Sequence, residues 1–138
     1  MFYIFTYGTL MKNHRNNFLL ENQKFIDNFK LYNCYIRLED CSSVGSYNYP
    51  VLFVDENKQY ENCCVEGEIY KCEDYILPYL DMLEGVGTLY DRYYFVHTID
   101  NEEVKVYLYV GKKGQWDETL MPLIKNGVWD LSYETEGV

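Results

Sequence analysis

Tyrosine is the residue that most constrains this chain: it fills sixteen of the 138 positions, set repeatedly among Val, Ile and Phe. Aromatic and β-branched side chains pack well on a pleated surface but lose rotamer freedom against a helical turn. A chain written this way is strand-rich. Residues 2 to 6 form an apolar run followed by Gly8, the pattern of a strand buried on both faces that feeds a tight turn. Between Lys24 and Leu38, the residues Phe25, Phe29, Leu31 and Tyr35 share the odd positions, which favours long or paired strands over a helix. Cys41 to Pro50 is turn chemistry, and the run Val51 to Val54 after it is another strand. Alternation returns from Cys64 to Lys71. Tyr93 to Thr98 and Val104 to Val110 read as a hairpin joined through Asp100, Asn101 and Glu102.

Helices are few. Ile76, Leu77, Leu80 and Leu83 recur at helical spacing between Glu73 and Glu84, so a helix is predicted there, with Pro78 in its first turn and Gly85 as its stop. A short helix is predicted over His14 to Asn22, with Asn13 or Asn16 as cap, and another near Glu118 to Lys125. The acidic tail from Ser132 is expected to fray. With 138 residues, 48% of them apolar, the chain suits one domain over 1–138 with its own core. Six or seven strands with two or three short helices make an α+β fold, a curled sheet or small barrel. The order lacks the βαβα rhythm of a doubly wound fold, and neither G-x-G-x-x-G nor G-x-x-x-x-G-K-[ST] occurs, so no nucleotide cofactor has a motif here.

Charge narrows the partners. A net charge of −10 removes the attraction to phosphate from which nucleic-acid binding starts. Residues 1 to 38 nevertheless hold a net +3, so an anionic small molecule is drawn toward that segment. No apolar run reaches the roughly 18 to 20 residues of a membrane helix, and the first residues lack a basic leader and a cleavage site; no membrane partner and a cytoplasmic address are expected. Five cysteines without C-x-x-C spacing, and only His14 and His97 to join them, argue against zinc or a disulfide framework. All five are read as reduced thiols. Adjacent Cys63 and Cys64, if extended, point to opposite faces, one buried and one exposed.

Three places carry candidate chemistry. Tyr7-Gly8-Thr9-Leu10 follows the first strand, where a Gly lets successive backbone N–H groups converge on an oxyanion or carboxylate. Glu84 ends the apolar helix stripe, where the helix dipole and the core edge both raise a carboxyl pKa and suit it to general acid/base work near neutral pH. Asp81 lies three residues earlier, on a neighbouring face where solvation is its plain reading. In Tyr90-Asp91-Arg92-Tyr93, Arg92 is a candidate to hold a carboxylate bidentately while Tyr90 supplies a hydroxyl; an Arg–Asp surface pair is the alternative.

Taken in order, Tyr7-Gly8-Thr9-Leu10, Gly45-x-Tyr47-x-x-Pro50, Val65-x-Gly67-Glu68-x-Tyr70, Leu80-Asp81-x-Leu83-Glu84-Gly85, Tyr90-x-Arg92 and Tyr107-x-Tyr109 resemble the gamma-glutamylcyclotransferase family and its AIG2-like relatives. Ile124-x-x-Gly127-x-Trp129 is similar to the closing Gly and Trp of that family, so the likeness runs from about residue 3 to 130. The resemblance implies a small mixed β-barrel with flanking helices. It implies a cofactor-free enzyme without a metal, which cyclises the γ-glutamyl group of a small molecule to 5-oxoproline and frees the attached amine or amino acid. Carried over by motif, Glu84 is the acid/base and the loop from Tyr7 to Leu10 holds the glutamyl part. Two segments depart from the pattern: Met11 to Asn17 lacks a Gly, and Gly45 to Pro50 matches loosely. Both are expected to edge the pocket, which leaves the freed group open among an amino acid, a cysteine-containing dipeptide remnant and a lysine side-chain amine. A non-catalytic binding module on the same scaffold, and an enzyme removing a γ-glutamyl protecting group, stand as alternatives. Monomer and homodimer stay equally open.

Overall fold

The computed structural model describes residues 1–134. Seven strands form: β1 (Phe2–Thr6), β2 (Lys24–Tyr32), β3 (Cys34–Glu39), β4 (Tyr49–Val54), β5 (Cys64–Cys72), β6 (Tyr90–Ile99) and β7 (Glu102–Gly111). Two helices accompany them, α1 (Leu77–Glu84) and the single turn α2 (Leu131–Glu134). Five strands make one sheet in the order β2-β5-β1-β7-β6, and β3 pairs with β4 in a separate hairpin. β1 sits in the middle, antiparallel to β5 and parallel to β7.

Period-two alternation gives this central strand two cores. Phe2 and Ile4 face one cluster with Leu80, Tyr90 and Tyr109, while Phe5 and Tyr7 face another with Ile36, Leu52, Val106 and Trp129. A strand buried on both faces is what the apolar run at residues 2 to 6 predicts. The β6–β7 hairpin also forms, and Asp100 and Asn101 both take positive φ (51° and 66°) at its tip, the backbone of a two-residue turn.

The expected barrel does not close: β2 and β6 remain the edges of the large sheet, and the β3–β4 hairpin is not part of its ladder. The gap is bridged instead by residues outside any strand. Leu38 N–H donates to Pro122 O at 2.9 Å, Ile124 N–H to Ile36 O at 3.0 Å, and Glu66 N–H to Gly127 O at 2.9 Å, so residues 122–127 tie β3 to β5. That same tie corrects the helix expected over Glu118 to Lys125, which shrinks to a 3-10 turn at Glu118–Leu120 because the following residues run extended along β3.

The helix expected over His14 to Asn22 is likewise only a 3-10 turn, Asn17–Leu20. Asn16 stands at its cap position without capping it, because its side chain donates to Thr9 Oγ1 instead, while the Asn17 amide donates to Leu10 O. Cys63 and Cys64 are both half-buried rather than split between core and surface, since β5 begins only at Cys64 and Cys63 lies outside the strand. The tail is also corrected as far as residue 134: Leu131–Glu134 is a helical turn and Glu134 is buried. The last four residues of the expected frayed tail lie outside the described residues.

Candidate functional site

β1 delivers its chain end into a turn at Gly8, and the turn is braced from outside. Lys12 N–H donates to Glu68 Oε1 at 2.9 Å, Asn16 N–H to Thr9 O at 2.9 Å, and Asn17 Nδ2 to Leu10 O at 2.7 Å. Among the described residues, the amide N–H groups of Gly8, Thr9 and Leu10 have no protein acceptor. Three neighbouring amides without a protein acceptor leave this loop with donors to spare. Gly8 is required here by close approach, because a Cβ on it would lie 2.6 Å from Pro50 Cγ. Gly8→Ala is expected to push this loop off Pro50 with a small fall in Tm; a crystal structure of the variant with the loop unmoved would show that the contact does not set its path.

α1 delivers Glu84 to the other side of the same hollow. Pro78 lies in its first turn, and Gly85 ends it in the left-handed region at φ 62°. Gly85 O then accepts N–H bonds from Thr88 and Leu89, which curls the chain back toward β6. The cavity between the two elements measures about 120 Å³ and is lined by Tyr7, Gly8, Thr9, Leu10 and Glu84, with Tyr90 beside them. This is small against the roughly 300 to 1,000 Å³ common for drug-sized ligands, so it suits an amino-acid-sized group.

Burial pushes the Glu84 carboxyl up to about 7, against a smaller opposing pull from the positive charge of Arg15. The shift reflects enclosure by protein atoms, although the residue retains some contact with solvent. Tyr7 Oη donates to Tyr109 O at 2.6 Å and Tyr90 Oη to Pro50 O at 2.7 Å. Burial pushes both phenols up, with the Glu84 charge adding to it, so both remain protonated donors.

Arg92 is placed elsewhere. Tyr90 and Arg92 share a face of β6, but Arg92 lies one pleat further along and pairs with Asp81, which also accepts from Tyr109 Oη at 2.8 Å. Arg92 is absent from the cavity wall, and Asp81 spends its carboxylate fastening α1 to the sheet rather than solvated. The arginine that lines the cavity is Arg15, joined there by Asn16, Tyr49 and Pro50, and its positive charge is felt at the Glu84 carboxyl. Motif spacing does not mark Arg15; the positive balance of the first 38 residues is the one sequence signal that points its way.

The described residues include no helix long and apolar enough to cross a membrane, and all five cysteines are free.

Residues 4–131 match the sequence profile of the family described as gamma-glutamyl cyclotransferase, AIG2-like. A gamma-glutamylaminecyclotransferase of Rattus norvegicus is 31% identical over 93 residues, which is 67% of this chain and 60% of that protein. Its counterpart from Mus musculus is 30% identical over a segment of the same size. The chain thus spans about 60% of the length of the curated relatives it matches. Among solved structures, a mouse AIG2-like protein superposes with a TM-score of 0.67 at 22% identity, covering 100% of this chain and 93% of its own. An uncharacterized protein from Pyrococcus horikoshii gives 0.65 at 18% identity, covering 94% and 91%. These two share the fold, including its mixed strands and few helices. On the extent of the profile match and the identity to the rat protein, the chain belongs to the gamma-glutamyl cyclotransferase, AIG2-like family.

Proposed function

We propose that the protein is a cofactor-free cyclotransferase that converts the γ-glutamyl group of a small γ-glutamyl amine or peptide to 5-oxoproline and releases the amine or amino acid. The observation that carries this reading is a carboxyl at position 84, raised to about 7, that shares one small cavity with the loop from Tyr7 to Leu10.

The α-amine of the bound glutamyl group attacks its own γ-carbonyl, so the new N–C bond and the broken C–N bond share one carbon. Glu84 takes the proton from the attacking nitrogen and returns it to the leaving amine, which balances the step without a co-reactant. Ring closure within one bound molecule gains most from being held near the reactive geometry, and a positioned acid/base adds about 10² to 10⁴ in rate. The amides of Gly8, Thr9 and Leu10 serve the glutamyl part and are available as donors to the γ-oxygen as charge develops on it. The curated relatives are named for action on γ-glutamylamines, which favours an amine-type leaving group. Five free thiols suit the reducing cytoplasm as its compartment.

The reaction begins with Glu84 ionised. Kcat/KM is therefore expected to rise with pH up to about 7 and to level off above it; a flat profile between pH 5.5 and 8 would contradict the base role. The deciding experiment incubates the protein with mixed γ-glutamyl amines and peptides and detects 5-oxoproline and the freed amine by mass. No release from any of them, with a compound bound and recovered unchanged, would mark a binding module instead.

A further inference from the structure

Among the described residues lining the cavity, Glu84 is the one acidic side chain and Arg15 the one basic one. A γ-glutamyl compound brings at least one carboxylate into this space, beside a glutamate. An unpaired anion there is costly, and a guanidinium is the group that answers it bidentately.

Arg15 is held from a distant part of the chain. Its Nη1 donates to Asn48 O at 3.2 Å and lies 3.6 Å from Glu134 Oε1, and its guanidinium carbon lies over the Tyr47 ring, 4.7 Å from the centroid. Glu134 is only 4% exposed and also meets His14 Nδ1 at 3.1 Å through its other oxygen. Glu134 is anchored in turn by Asn48, which is fully buried and uses all of its polar groups. Its backbone N–H donates to Glu134 O, its Nδ2 donates to Tyr133 O, and its Oδ1 accepts from Cys41 N–H. Nη1 is thus committed to the scaffold. Among the described residues, the Nε and Nη2 donors of Arg15 have no protein acceptor. Nε and Nη2 lie side by side on one edge of the guanidinium of a residue that lines the cavity, and two such parallel donors are the group that binds a carboxylate.

We propose that Arg15 is the carboxylate-recognition group of this pocket and that Glu134, through its ion pair and together with Asn48, is the positioning residue that holds the guanidinium there. The inference rests on the cyclotransferase reading and adds to it a substrate requirement. The carboxylate belongs either to the glutamyl α-carbon or to the leaving amino acid, and the two are separable.

The test uses γ-glutamyl-alanine and two relatives, one with the glutamyl α-carboxyl as a carboxamide and one with the alanine carboxyl as a carboxamide. Wild type is expected to lose about 10- to 100-fold in kcat/KM on one of the two carboxamides, which identifies the recognised group. Arg15→Gln should raise KM for the parent compound by a similar factor and erase that preference, and Arg15→Lys should restore part of it. Glu134→Gln should raise KM for the parent several-fold with kcat nearly unchanged, in protein shown by circular dichroism to be folded. Equal losses on parent and carboxamide in Arg15→Gln, or none, overturn the proposal. If wild type releases no 5-oxoproline from these three compounds or from any γ-glutamyl amine of the mixed panel, the enzymatic reading fails alone. Calorimetry of the three intact compounds against wild type and Arg15→Gln then shows the same preference and its loss, or overturns the proposal by their absence.

Discussion

Glu84→Gln is expected to cut turnover by about 10² to 10⁴ or more while leaving the protein folded and, at pH 8, more stable than wild type. The two effects share one cause. Burial holds the Glu84 carboxyl up to about 7 from an ordinary value of 4.5, so the folded chain resists ionising it. Between those two pH values the unfolded chain ionises this group more readily than the folded one, and stability falls as pH rises. Above about pH 7 the cost is constant; below about 4.5 it vanishes. An uncharged amide of the same shape avoids the cost but cannot carry a proton between the attacking and the leaving nitrogen. The melting temperatures of variant and wild type should therefore converge toward pH 5 and separate toward pH 8. Undiminished 5-oxoproline release by the variant would falsify the acid/base assignment, and an equal Tm gap at both pH values would contradict the burial argument.

The largest expected loss of stability comes from Gly127→Ala. Gly127 sits at φ +71°, and a Cβ there would lie 2.0 Å from Cys64 O and 3.0 Å from Cys64 C. The obstacle is backbone of β5, not the end of a flexible side chain. Relief requires moving the segment that bridges β3 and β5, which breaks the Glu66 N–H bond to Gly127 O and lifts the adjacent Trp129, 1% exposed, out of its core. Left-handed strain of about 1 to 2 kcal/mol, the lost hydrogen bond at about 1 kcal/mol and the disturbed packing together amount to about 3 to 5 kcal/mol. For a chain of this length that is a fall in Tm of roughly 10 to 20 °C. Gly114→Ala provides the comparison, since Gly114 has a similar φ of +82° but open space around its Cβ position. It should lose only the strain. Equal falls for the two variants would show that the contact with Cys64 is immaterial.

These two residues also show what local pattern reveals and where it stops. Glu84 is legible because a helix stripe ended by Gly announces where the chain turns, and the observed α1 ends there with Gly85 left-handed. The loop after β1 is legible because an apolar run followed by Gly must turn. The hairpin around Asp100 and Asn101 is legible from local chemistry too, although its turn is one residue tighter than expected, with Glu102 already in β7 and paired to Ile99. The short helices are less legible, because Asn16 and Asn17 have acceptors in the first loop that no periodicity discloses, and Pro122 has its partner in β3.

The sequence by itself determined the strand-rich α+β class, the positions of most strands and the helix end that carries Glu84, since period-two burial and left-handed glycine ends are properties of a few consecutive residues. Tertiary structure alone decided that Arg15 and not Arg92 lines the cavity, that Glu134 is buried against His14, and that the sheet stays open with residues 122–127 across the gap. Each of these depends on which distant segment a polar group meets. An arginine has the same side chain whether its carboxylate partner lies in the neighbouring helix or 119 positions along the chain, as Glu134 does from Arg15, and only the folded path of the backbone chooses between them.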